Sequence, residues 1–265
     1  MNIIGIILII VGIVLFFIKQ NQSHKGFSIK SANSTNVKEL ESTAHSITQE
    51  IGGGSWRDYV KVWGKISASQ PLISELKNEP CVYYTMTVKR EYEETIGKQD
   101  SEGKWVQETK RSSDVVSSNQ RKIPFTLEDQ TGRIAVNPEG AEIETVKVLD
   151  QFVPGEARGQ MISFGGFSLA LGSSNNNSQR RTLGYHYTEH ILPIEHNALV
   201  VGEVSDETGN LMLTKPLEAG KRFIISLKTE QSLNAAIAQT EKTLLWSIIA
   251  CLGLGVIFVI LHFVF

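Results

Sequence analysis

Cys81 to Tyr92 reads CVYYTMTVKREY. Aromatic and β-branched side chains crowd this run, and such residues suit a pleated, half-buried surface, so it predicts a strand. The same signature recurs on both sides of it. Tyr59 to Ile66 alternates, with Tyr59, Lys61, Trp63 and Lys65 on one face and Val60, Val62 and Ile66 on the other. Pro124 to Val136, PFTLEDQTGRIAV, predicts two strands joined through Asp129, Gln130, Thr131 and Gly132, and it also fits an OB-fold strand pair. Further strands are expected at Thr145 to Phe152, Gly184 to Leu192, Ala198 to Val204, Leu211 to Thr214 and Arg222 to Leu227. Many short strands at such spacing predict a mainly β domain, built as a sandwich or a partly closed barrel. Two interruptions are expected, a polar hairpin tip from Gly97 to Lys110 and a low-complexity loop, SSNNNS, from Ser173 to Ser178. Met161 to Leu171, MISFGGFSLAL, is apolar but too short to span a bilayer. It is read as a buried strand pair, the alternative being a loop that touches the membrane or a second copy.

Outward from this β region the chemistry changes at both ends. Every Lys, Arg, Asp and Glu of the 265-residue chain lies between Lys19 and Lys242. Ile3 to Ile18 is uncharged and apolar, and at ~1.5 Å per residue it reaches about 24 Å, short of a ~30 Å hydrocarbon core unless Lys19 snorkels. Thr243 to Phe265 is long enough to span unaided and carries Trp246 at an interfacial position. No basic residue precedes the first apolar run and no small-x-small site follows it, so a retained anchor is expected rather than a cleaved signal. Between the ends, Gln20 to Asn33 reads as a turn-rich tether. A helix follows, because Val37, Leu40, Ala44, Ile47 and Ile51 recur at steps of three and four, with an N-cap in Ser34 to Asn36 and a stop at Gly52 to Gly54. The expected organisation is therefore a transmembrane α-helix over 1–18, a tether and short juxtamembrane helix over 19–55, and a β domain over 56–229. A helical connector over 230–242 and a second transmembrane helix over 243–265 complete it, and with no Gly or Pro between them one long helix is expected to run from domain to bilayer.

Charge and cysteine narrow the function. The 26 basic and 28 acidic residues nearly balance and leave no footprint for nucleic acid. Only two cysteines are present, one of them inside the second apolar run, so neither a disulfide framework nor a cysteine-built zinc site is available. Cys81 is read as a buried, inert thiol, with no activating partner in its sequence surroundings. His186 to His190 spells H-x-x-E-H, a zinc-peptidase pattern. Two histidines four apart meet at one metal on a helix, whereas on a strand they lie ~13 Å apart at ~3.3 Å per residue. The neighbours Tyr185, Tyr187, Thr188 and Ile191 favour the strand, so no metal site is expected there or with His196.

Four segments in order, YVKVWGKISASQPLISELKNEPCVYY, IPFTLEDQTGRIAVNPEGAE, LGYHYTEHILPIEHNALVVGEV and LMLTKPLEAGKRFIIS, resemble the GIDE domain, also called "beside a membrane". That module is flanked by membrane spans in mitochondrial ubiquitin ligases of the MULAN type and in bacterial relatives. The residues that carry the likeness are Gly184, Tyr185, Glu189, Leu192, Pro193 and Val201 with Gly202 and Glu203. Read by chemistry alone they look structural: Gly184 lets chains approach closely, Pro193 bounds a strand, and Glu189 and Glu203 are expected to be solvated or paired. The resemblance implies that ligase activity resides in a RING zinc domain, whose ligand cluster this sequence lacks, so neither ligase activity nor any other enzymatic function is expected. No catalytic, cofactor-binding or metal-binding residue is assigned. The expected partners are the lipid bilayer and a membrane-proximal protein, with self-association left open. The expected function is that of a two-pass membrane protein whose β domain binds a protein, lipid or small ligand at the membrane surface; the alternatives are a ligand-sensing component of a larger membrane system or a His-dependent metallohydrolase. By the positive-inside rule, Lys19, Lys25, Lys30 and Lys242 place the β domain on the cytoplasmic side of the membrane, and the resemblance, without a RING, implies a prokaryotic inner membrane. The mitochondrial relatives imply the opposite face.

Overall fold

The computed structural model describes residues 2–54, 56–99, 103–155, 161–170, 180–207 and 209–264. In chain order the elements begin with α1 (Asn2–Ser31), β1 (Asn33–Ser34), α2 (Val37–Ile51), β2 (Arg57–Ser67) and β3 (Leu72–Ile73). Then come β4 (Pro80–Gln99), β5 (Trp105–Lys122), β6 (Phe125–Glu128), β7 (Arg133–Val136), β8 (Glu142–Ile143) and β9 (Val146–Pro154). β10 (Met161–Phe164), β11 (Phe167–Ala170), β12 (Arg180–Pro193), β13 (Asn197–Ser205), β14 (Met212–Thr214), β15 (Ile224–Ser226) and α3 (Glu230–Val264) complete the chain. The protein is mainly β, as the alternation predicts. The region expected as one β domain forms two compact units, one of Met1–Lys65, Thr126–Ile143 and Asn197–Phe265, the other of Ile66–Phe125 and Glu144–His196. Each closes its own hydrophobic core.

In the first unit, β2, β6, β7, β14 and β13 pair in a ring, because β13 returns to β2 in register from Asn197↔Lys65 to Ser205↔Arg57. A closed ring leaves no free edge among its members. Val60, Val62 and Ile66 are buried, as their alternation requires. Tyr59 and Lys61 on the opposite face are buried as well, because helices cover them: Ile29 of α1 and Leu233 and Ile237 of α3 pack with Tyr59, Leu199, Val201 and Ile224.

One expectation about the helices is corrected and one is met. The segment expected as a turn-rich tether is helical to Ser31, so α1 has 30 residues and rises about 45 Å. Polar residues there need no turn, since Gly26 is tolerated inside the helix and Ile29 is drawn into the core. The connector and the second apolar run are one helix, α3, of 35 residues, as the lack of Gly or Pro at their junction predicts. Both helices are long and apolar enough to cross a membrane, and only 11% of each apolar window is buried within the molecule, unlike a core helix. They cross antiparallel and close: a Cβ on Gly12 would lie 2.7 Å from Leu252, and one on Gly5 2.9 Å from Val259. Small residues permit such backbone approach between apolar helices.

Helix α2 forms where its periodicity places it. Val37, Leu40 and Ala44 are buried, Asn36 accepts from the Glu39 amide at 2.9 Å, and Gly52 closes the helix at φ 89°.

The second unit is built on a sheet in which β4 lies between β5 and β12, β9 flanks β12, and β3 pairs the start of β4. The polar tip expected from Gly97 to Lys110 is paired ladder down to Gln99↔Trp105. A two-stranded ribbon without a core beneath it shows no apolar alternation, so its backbone pairing is invisible to pattern reading. β10 and β11 form a hairpin turning at Gly165 and Gly166. Ile162, Phe164 and Phe167 lay it over Met86, Val88, Tyr185 and Tyr187, and the Phe164 and Tyr187 rings stack at 4.5 Å. The MISFGGFSLAL segment is thus a strand pair over Met161 to Ala170, and Leu171 lies outside the described residues.

Candidate functional site

Strand β12 carries most of the motif residues in the second unit. Alternation sends Tyr185, Tyr187, Glu189 and Ile191 into the core, and His186, Thr188 and His190 to the other face. Glu189 is fully buried. Its carboxylate accepts hydrogen bonds from Ser74 Oγ (2.9 Å), the Leu76 amide (2.9 Å) and the Lys77 amide (2.8 Å). It thereby holds the turn after β3, where Ser74 Oγ also receives the Glu79 amide at 3.1 Å. A carboxylate met by three donors is a structural clamp. Nearby Cys81 is wholly buried, and burial, reinforced by the charge of Glu189, pushes its thiol up to about 11. Such a thiol is a poor nucleophile.

Gly184 lets β12 lie close against β9, for a Cβ there would lie 2.4 Å from the Val153 carbonyl oxygen. Tyr185 sits in the core beside Met86 and Val88. Pro193 ends β12 opposite Cys81, at a register shift.

The H-x-x-E-H residues do not converge. His186 Nε2 lies 2.5 Å from Asp150 Oδ1 and its Nδ1 3.4 Å from Glu91 Oε1, whereas His190 pairs in register with Thr85 and Lys147. Glu189 points away from both. The Asp150 carboxyl falls to about 2, held there by hydrogen bonds from Lys147 and then from His186. His196 Nδ1 lies 2.9 Å from the Ile194 carbonyl. Among the described residues no three His, Cys, Asp or Glu side chains gather as metal ligands.

In the first unit, Gly202 admits the Phe223 ring, which would stand 2.7 Å from a Cβ there. Glu203 is buried and pairs with Arg57 at 2.5 Å, while Arg57 also reaches Glu207 at 2.6 Å.

Residues to which sequence reasoning gave no functional role shape this unit more. Lys61 Nζ donates to the Ile29 carbonyl at 3.2 Å and pairs with Glu230 at 2.6 Å. One buried cation thus joins the last turn of α1 to the first turn of α3, at the helix ends whose dipoles favour those charges. Asp129 accepts from the Val37 amide at 2.9 Å, while Thr131 Oγ1 accepts from the Lys38 amide at 3.1 Å. With Asn36, the β6–β7 turn therefore satisfies the first three amides of α2. Burial raises the Asp129 carboxyl, but hydrogen bonds from Thr131, Val37 and Gly132 outweigh it and leave the group below its ordinary value. Asp206 likewise gathers the Gly54 and Trp56 amides, at 2.9 and 3.0 Å. The turn residues of β6–β7 were visible in the sequence; their partners lie some ninety residues away.

Surfaces in each unit offer room for a partner. A groove of about 1040 Å³ in the first unit is lined by Asn36, Lys61, Trp63, Asp129, Thr131 and Glu230 among others. In the second unit β5 pairs only β4 among the described strands, leaving one side of an 18-residue strand open. Val115 on this strand is 57% exposed and Trp105 at its start 76%.

Comparison with known proteins bears on what these surfaces serve. A family model described as GIDE, E3 ubiquitin ligase, matches residues 93–260. The E3 ubiquitin-protein ligase SPL1 of Arabidopsis thaliana is 24% identical over 176 residues, 66% of this chain and 47% of the relative. The chain thus spans about half the length of that curated relative. No solved structure matches. The expectation that the chain is no enzyme is overturned here, since family and relative are both named for ubiquitin ligation. The expectation had rested on the missing zinc-ligand cluster, and the family's description reaches across a stretch that contains none.

Proposed function

Because the chain belongs to the GIDE family of E3 ubiquitin ligases, we propose that it works in ubiquitin ligation as a two-pass membrane protein that holds a protein partner beside the bilayer. The ligase reading is carried by the family match over residues 93–260. The partner-holding reading is carried by β5. An open strand edge presents unpaired amides and carbonyls, which an extended segment of another protein completes by adding a strand. Exposed Val115 and Trp105 supply apolar contacts beside that edge. The two membrane helices tether the chain to the bilayer, and Lys19, Lys25, Lys30 and Lys242 favour the cytoplasmic side.

The test uses the full chain in lipid nanodiscs with purified ubiquitin-activating and ubiquitin-conjugating enzymes. The reading predicts faster formation of ubiquitin conjugates on co-purified membrane proteins than with empty nanodiscs. It also predicts a severalfold reduction with Val115→Glu. That substitution places a carboxylate opposite Lys89 in the ladder, so β4–β5 pairing is kept while an apolar partner is repelled. Equal rates with empty nanodiscs would remove the ligase reading. Full activity in Val115→Glu would remove β5 as the holding edge.

A further inference from the structure

The antiparallel crossing sets the heights of the charges that border the apolar runs. Gly12 faces Leu252 and Gly26 faces Ile237, so Lys19 and Lys242 stand within about one helical turn of each other. Arg222, which precedes β15, donates to Asn21 Oδ1, bringing its guanidinium to the same level. Lys25 follows one turn higher on α1. Trp246, one turn below Lys242 toward the apolar run, is 71% exposed, as an aromatic belt residue would be.

The acids in this layer do not cancel it. Glu142 receives both Arg222, at 2.6 Å, and Lys25, at 3.6 Å, so two cations share one carboxylate. Glu241 neighbours Lys242 in the chain, and neither Lys19 nor Lys242 has an ion pair among the described residues. Four cations against two carboxylates leave a positive collar where the apolar windows end.

We propose that Lys19, Lys242 and Arg222, supported by Lys25, form a recognition collar for the phosphodiester headgroups of anionic glycerophospholipids. This rests on the reading of α1 and α3 as membrane-spanning. A phosphate at that depth meets the two ammonium groups of Lys19 and Lys242, beside an arginine held by Glu142 and Asn21 whose charge adds to the local field, in a zone of reduced dielectric. With two carboxylates offsetting part of its charge, the collar as a whole is expected to favour anionic lipid about fivefold, an effect that added salt weakens.

Trp246 provides the readout. The full chain is reconstituted in vesicles of phosphatidylcholine with brominated acyl chains, which quench tryptophan within the hydrocarbon boundary, and unbrominated phosphatidylglycerol or phosphatidylcholine is then titrated in. The collar predicts that phosphatidylglycerol relieves the quenching about fivefold more effectively than phosphatidylcholine. In K19Q/K242Q, which leaves the Arg222 contacts with the fold intact, the preference falls to about twofold or less. A wild-type chain that is quenched but shows no lipid preference overturns the collar and leaves the membrane reading standing. So does an unchanged preference in K19Q/K242Q. Absence of quenching by brominated lipid overturns the membrane reading and the collar with it.

Discussion

Glu189 shows how a residue can be marked by a motif and still have no chemistry to perform. Its three donors come from a turn more than a hundred residues earlier in the chain, and two of them are backbone amides. Glu189→Ala strands those donors in the core, at about 1–3 kcal/mol for each one left without a partner. Thermal melting of the second unit should fall by several degrees, and Glu189→Gln should recover part of the loss. An unchanged melting temperature in Glu189→Ala would show that water replaces the clamp. The sequence made Glu189 conspicuous but left its role open, because the identity of a buried partner is a fact of tertiary structure. The reverse holds for His186 and His190. Their spacing suggested a metal site, and the strand propensity of their neighbours, legible beforehand, places them on a face that Glu189 does not share.

Among the elements, α2 was the most legible, since its apolar spacing, its Asn36 cap and its glycine stop are all local. The second half of its N-terminal cap was not, because Asp129 and Thr131 come from a hairpin across the barrel. Asp129 gives this cap a pH dependence. A carboxyl held below its ordinary value stabilises the fold fully above ~3.9 and loses that contribution as pH falls through its folded value. Helix α2 should therefore loosen from the barrel in acid, seen as a lower melting temperature at pH 3 than at pH 6. Asp129→Asn should be less stable at pH 6 and show a flatter dependence; an equally steep one would assign the acid sensitivity to other groups. Strand β5 was illegible for the opposite reason. Polar and charged residues fill all of it but Trp105, Val106, Val115 and Val116, no core lies beneath its outer half, and only the backbone ladder with β4 makes it a strand. The same polarity hid the upper part of α1, whose residues 19–31 read as a tether until Ile29 and the Lys61 contact to its carbonyl are seen.

At the scale of the whole molecule, the account makes α1 and α3 a hairpin whose far ends leave the membrane together. The close approach of Gly5 to Val259 brings the start of α1 beside the end of α3, and Lys61 ties their opposite ends to the barrel. The apolar ends and the β middle were plain from hydropathy and alternation. The division of that middle into a closed ring and a separate sheet was not, because it depends on which strands pair. The most direct test places single cysteines at Asn2, Lys110 and Phe265 in a Cys81→Ser, Cys251→Ser background. Sealed membrane vesicles of known orientation are then treated with an impermeant maleimide. The account predicts that positions 2 and 265 label in one compartment and position 110 in the other. Labelling of all three from the same side, or of the two termini from opposite sides, would contradict it.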